Sequence, residues 1–129
     1  MTSETPQLEH TTNKLKRSHL MTKGYIIFTE HVTDLDGIAA YSAAAVPSVI
    51  AAGGTAVIAG PPWRIAEGDW HGDITVALEF DSLDAANAWY DGPDYQAVIG
   101  QRHQSAISNG ARFVAVTYTH LTLPTTRLV

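Results

Sequence analysis

The 129-residue chain contains no cysteine. Disulfides, thiolate nucleophiles and Cys-ligated metals are thereby excluded together, and a cytoplasmic location is the expectation. Long apolar runs are also missing. The longest, Ile38 to Ala52, is interrupted by Ser42, Pro47 and Ser48, whereas a membrane span needs roughly 20 apolar residues. The first residues lack the apolar core of a signal peptide. Basic residues are scarce where they would matter. Lys14, Lys16, Arg17 and Lys23 precede Gly24, and beyond it only Arg64, Arg102, Arg112 and Arg127 stand against eleven acids. An acidic domain of this kind is a poor partner for nucleic acid, so neither nucleic acid nor membrane is expected as a partner.

Residues 1–22 are polar and without helical or strand period, the composition of a disordered extension. Met21, directly ahead of the first strand pattern, reads as a natural start. At the other end, Tyr118 to Thr125 resembles the conceptual translation of a sequencing-library adapter, so 117–129 is expected to be a disordered or foreign tail. One domain over 23–116 remains.

Within that domain, Tyr25 to Val32 is rich in β-formers and alternates in polarity. Asp34 or Asp36 can cap the next element, where Ile38, Tyr41, Ala45, Val49 and Ala52 recur at helical spacing. Pro47 is expected to bend or break this helix, and Gly53-Gly54 to end it. Thr55 to Ala59 predicts a short strand stopped by Gly60-Pro61-Pro62, with Trp63 to Glu67 expected to resume it beyond a bulge. Ile74 to Phe80 is the clearest strand. Ser82 caps a helix over Leu83 to Asp91, and Pro93 opens another that carries Tyr95, Val98, Ile99 and Arg102 on one stripe. Arg112 to Val116 supplies a fourth strand.

The order βαββαβ with right-handed crossovers predicts an α+β fold, the ferredoxin-like plait: a four-stranded antiparallel sheet with the helices on one face. The other face, bearing Tyr25, Ile27 and Ala77, is left bare. A second copy is the economical cover, so a homodimer is expected.

Several segments, in order, resemble a known family. They are Lys23-Gly24-Tyr25-Ile26-Ile27, Gly53-Gly54, Glu67-Gly68-Asp69-Trp70, Glu79-Phe80-Asp81-Ser82 and the run Ala88-Trp89-Tyr90 through Gly92-Pro93-Asp94-Tyr95 to Ala97, followed by Arg102. From Lys23 to about Ala106 the chain is similar to the domain-of-unknown-function 1330 family. Two departures stand out: Gly92-Pro93-Asp94-Tyr95 replaces the usual Ser-Pro-Glu-Tyr, and Ser108 to Val116 diverges from the family's ending. The resemblance implies a dimeric α+β barrel, a superfamily that holds cofactor-free monooxygenases, lactone isomerases, haem enzymes and non-catalytic members. Such a fold fixes no function.

Strand parity selects the candidate site residues. If Ile26, Phe28, Leu78 and Phe80 face the helices, then Tyr25, Ile27, Thr29 and His31 share the opposite face with Glu79. Glu79 falls opposite Tyr25 or Ile27, and Thr75 opposite Thr29 or His31. Burial of Glu79 on an apolar face would raise its pKa and suit it to general acid or base work; a hydrogen bond to Tyr25 or an ion pair across the dimer is the structural alternative. His31, at the strand end, is the second candidate for proton transfer. The segment from Gly60 to Asp73 emerges at that end, so Trp63, Trp70 and His71 are expected to gather around His31. Trp89 is expected in the core, while Tyr90 or Tyr95 could line a pocket with its hydroxyl. Arg102 could bind a ligand carboxylate or pair with Glu79, Glu67 or a partner-subunit acid. His31 and His71 lack metal-ligand spacing, and no metal site is expected.

Three functions are compatible with this pattern. One is a cofactor-free enzyme performing acid/base chemistry on a small organic molecule through Glu79 or His31. Another is a non-catalytic homodimer that binds a metabolite or serves a structural role. The third binds haem through His31 or His71.

Overall fold

A computed structural model describes residues 22–116; the expectations for the N-terminal extension before Thr22 and for the C-terminal tail fall outside these described residues. The elements are β1 (Gly24–Val32), α1 (Leu35–Ala51), β2 (Thr55–Gly60), β3 (Ile74–Phe80), α2 (Leu83–Asp91), α3 (Pro93–Gln96), α4 (Ile99–Ser105) and β4 (Ala106–Val114). The sheet order is β2-β3-β1-β4 with all neighbours antiparallel. This is the α+β ferredoxin-like plait.

The local chemistry follows the sequence. Asp34 caps α1 by accepting from the Gly37 amide at 3.0 Å, and Ser82 caps α2 by accepting from the Ala85 amide at 3.0 Å. Gly53, at φ +80°, ends α1, and Gly54 donates back to the Val49 carbonyl at 2.9 Å, closing the helix end. Ile26 and Phe28 of β1 and Leu78 and Phe80 of β3 point to the helices. They pack there on Tyr41, Ala45 and Val49 of α1, on Ala86 and Trp89 of α2, and on Tyr95 of α3.

Four expectations are corrected. Pro47 sits inside a continuous α1. Proline removes the donor to the Ala43 carbonyl, but Ala43 and Pro47 are both exposed, where a free carbonyl costs little. Trp63 to Glu67 forms no strand: two prolines precede it and no strand lies beside it to take its hydrogen bonds. The helix opened by Pro93 breaks into α3 and α4 at Ala97-Val98. Finally, β4 starts at Ala106, six residues earlier than its β-forming residues suggest, because Ala106 to Gly110 is held in register against Phe28 to Val32 of β1.

Candidate functional site

The alternation that points Ile26 and Phe28 at the helices also points Glu30 there. Its side chain is 5 % exposed. Facing it, α4 brings in Arg102, 3 % exposed, with Nη1 3.9 Å from Glu30 Oε2. The same Nη1 donates to Ser108 Oγ at 2.8 Å, and the guanidinium lies 3.9 Å from the centre of the Phe28 ring, a cation–π contact. Arg102 Nε is buried without a hydrogen-bond partner among the described residues. Burial pushes the Glu30 pKa above the ordinary carboxylate value, and the Arg102 charge opposes part of that rise.

Two tyrosines extend this polar centre. Tyr41 of α1 and Tyr95 of α3 share a 2.7 Å hydrogen bond in the core, with Trp89 stacked 4.1 Å from the Tyr95 ring centre. Burial is the main cause that raises both phenol pKa values, so both hydroxyls stay protonated across the physiological range.

Between α1 and the sheet lies a cavity of ≈ 180 Å³. Phe28, Glu30, Tyr41, Leu78 and Trp89 form its buried floor. Ser42 and Val46 of α1 and Ala56 and Ala59 of β2 form its exposed rim. The opening exists because α1 packs against α4 and leaves β2 largely uncovered. Apart from Glu30 and the hydroxyls of Tyr41 and Ser42, the walls are apolar or aromatic. A carboxylate held in such surroundings can exchange a proton with a molecule that enters.

The opposite sheet face carries the residues singled out by parity. Tyr25 pairs with Glu79 and Thr29 with Thr75, in the expected register. The Tyr25 hydroxyl donates to Glu79 Oε2 at 2.6 Å, a bond that raises the tyrosine pKa. His71 Nδ1 lies 2.8 Å from Thr29 Oγ1, and Trp70 Nε1 donates to Thr75 Oγ1 at 3.1 Å. The segment between β2 and β3 thus folds across part of this face. Tyr25, Thr29, Thr75 and Glu79 on this face each already have a side-chain partner.

Trp70 and His71 engage Thr75 and Thr29 rather than His31. His31 Nδ1 is 3.2 Å from Asp73 Oδ2, both side chains more than half exposed. Trp63 does not join: it is 92 % exposed, with Arg64 lying 5.2 Å from its ring centre. The prolines before Trp63 carry it away from the sheet. Within the chain Arg102 pairs with neither Glu79 nor Glu67: Glu79 is on the other face of the sheet, and Glu30 is within reach. Tyr90 packs on Tyr95 and lies under Arg112, 4.6 Å from its ring centre. Neither Tyr90 nor Tyr95 lines the cavity, although Tyr95 reaches its wall through Tyr41.

Glu30 and Tyr41 are the residues that reading the sequence missed. Their signals were present: Glu30 shares the parity of Ile26 and Phe28, and Tyr41 lies on the apolar stripe of α1. An arginine on the buried stripe of Tyr95 also demands an acid inside the same layer.

Among the described residues no group of three or more His, Asp or Glu side chains could hold a metal ion, and no helix is long and apolar enough to cross a membrane. The haem reading finds no fit. Neither His31 nor His71 borders the cavity, whose volume is near the roughly 150 Å³ that holds a single benzene ring.

Residues 23–117 match the family model for the domain of unknown function DUF1330. The chain belongs to this family. No curated protein matches it. Among solved structures, this DUF1330 chain is similar to RPA0582, a protein of unknown function from Rhodopseudomonas palustris. The TM-score is 0.61 at 18 % identity, over 81 % of this chain and 93 % of that one. It is also similar to SnoaB, a cofactor-independent oxygenase from Streptomyces nogalater, with a TM-score of 0.51 at 12 % identity, over 77 % and 98 % of the two chains. A putative antibiotic biosynthesis monooxygenase from Caulobacter crescentus CB15 gives 0.51 at 14 % identity, over 75 % and 92 %. These likenesses establish the fold alone.

Proposed function

We propose that this DUF1330 protein binds a small organic molecule in the cavity between α1 and the sheet, and that Glu30 exchanges a proton with it. The observation that carries this reading is the buried Glu30 carboxyl at the floor of an otherwise apolar cavity, its pKa raised by burial. As carboxylate, Glu30 takes a proton from a weakly acidic O–H or C–H of the ligand; as carboxylic acid, it returns the proton to the same or another atom. The net reaction is a proton shift within the ligand and needs no external electron acceptor. Arg102 holds the carboxylate in place and attenuates its basicity. Glu79 and His31, on the opposite face of the sheet, serve this reading less well. Glu79 already accepts from Tyr25, and His31 lies beside Asp73 at an exposed strand end.

A second reading concerns the partner. Ile58, Ile107 and Phe113, all on the face opposite the helices by register, are each about half exposed or more. A second copy covering this face makes a homodimer in which the Tyr25–Glu79 and Thr29–His71 pairs are interface structure rather than chemistry.

A thermal-shift screen of small organic molecules against the wild type and Glu30→Gln tests the first reading. Ligands raise the melting temperature by mass action. The proposal predicts hits whose shift falls sharply in Glu30→Gln; hits unaffected by that change, or abolished instead by Glu79→Gln, contradict it.

A further inference from the structure

The size and polarity of the cavity restrict what can occupy it. Its volume of ≈ 180 Å³ exceeds by little the roughly 150 Å³ that accommodates benzene. One ring with one or two small substituents fills it; a larger ring system would project past the exposed rim. Phe28 and Trp89 contribute aromatic rings to the lining, a surface suited to an aromatic occupant.

Charge restricts the occupant further. The one ionisable acid on the lining is Glu30, and no Lys, Arg or His side chain lines the cavity. Arg102, beside Glu30, is not among the lining residues, and its guanidinium engages Ser108 and the Phe28 ring. An anionic ligand would meet a carboxylate and no accessible cation. A cationic ligand would pair with Glu30 but would stand close to Arg102. A neutral ligand avoids both penalties, and a hydrogen-bond donor on its edge satisfies the carboxylate.

We infer that the ligand of this cavity is a neutral, single-ring molecule carrying one weakly acidic hydrogen-bond donor that it directs at Glu30. This deepens the proposed function and rests on the cavity being the ligand site. The donor is also the group from which Glu30 would take a proton. The ring stands against Phe28 and Trp89, and the open edge faces the rim of Ala56 and Ala59.

Phenol, toluene and benzoate serve as probes, with binding followed by amide chemical shifts of the whole chain. A charge-assisted hydrogen bond predicts phenol binding about tenfold or more tighter than toluene, with shifts at Ala45, Val49, Ala56 and Ala59. Benzoate is predicted not to bind there. In Glu30→Gln the preference for phenol over toluene shrinks, and Ala59→Leu, an exposed rim position, blocks both rings while the fold is retained. Equal affinity for phenol and toluene, or binding of benzoate, overturns the inference about the donor and leaves the cavity as the ligand site. Absence of shifts on the cavity walls with any ring overturns the inference and the proposed function together.

Discussion

Arg102 and Glu30 meet 3.9 Å apart, from α4 and β1, with both side chains nearly removed from solvent. Breaking one side of a buried pair leaves the other charge uncompensated, which typically costs 3–5 kcal/mol, and more than the pair itself contributes. Glu30 borders a cavity that water can enter, so the lower end applies. Arg102→Met is expected to lose about 3 kcal/mol in urea denaturation, while the double variant Arg102→Met/Glu30→Gln recovers part of that loss. A single variant as stable as the wild type would show the pair to be unimportant.

The same pair sets a pH dependence. Burial raises the Glu30 pKa in the folded protein above its unfolded value. For an acid shifted upward, the folded state holds the proton more tightly than the unfolded state. Its stability contribution is therefore fully present below the unfolded value, near 4.3, and is lost as pH rises through the folded value. Measured against Glu30→Gln, the wild type should become relatively less stable across that window and then level off. Removing Arg102 takes away the opposing attraction and should extend the window to higher pH. Tyr41 and Tyr95, also packed nearby, stay protonated and add no step in this range. A difference between wild type and Glu30→Gln that rises with pH contradicts the burial of Glu30.

Gly72 ties the segment between β2 and β3 to this site from behind. Its φ is +85°, and a Cβ there would collide with the backbone carbonyl of Glu30, which accepts from the Asp73 amide at 2.7 Å. Gly72→Ala must both strain the backbone and push β1 at Glu30, so a loss above about 1 kcal/mol is expected. Gly68, at φ +67° with open space around its Cβ, supplies the control: Gly68→Ala meets the backbone strain alone and should cost less. Equal losses at the two positions would remove the role assigned to the close approach.

The bare sheet face predicts self-association. Phe113 stands opposite Tyr25 in register and is 48 % exposed. Phe113→Asp places a charge on the proposed interface and should convert a dimer to a monomer in sedimentation velocity, leaving the circular dichroism unchanged. A wild type that sediments as a monomer at micromolar concentration would contradict this reading of the face.

Most of the fold was legible because its signals are local. The parity of Ile74 to Phe80, the caps at Asp34 and Ser82 and the Gly53-Gly54 stop each act within a few residues, and each operates as read. The departures have non-local causes. β4 begins at Ala106 because β1 holds weak β-formers such as Ser108, Asn109 and Gly110 in register, and no window along the chain contains that constraint. Pro47 is tolerated because of where its face of α1 lies.

The candidate site was legible only in its register. Tyr25 and Glu79 pair as the alternation requires, but a carboxylate that accepts from a phenol is already satisfied. The carboxylate with chemical potential is Glu30, on the helix side. Its surroundings depend on α4 delivering Arg102 from about seventy residues further along the chain, and its accessibility on α1 leaving β2 open.

The central claim is that the ligand enters between α1 and the sheet rather than lying on the opposite face. Amide shift mapping of the wild-type protein with any hit from the small-molecule screen decides between the two sides. The account predicts perturbations concentrated at Glu30, Ala45, Val49, Ala56 and Ala59; perturbations concentrated at Tyr25, Thr29, His71 and Glu79 would contradict it.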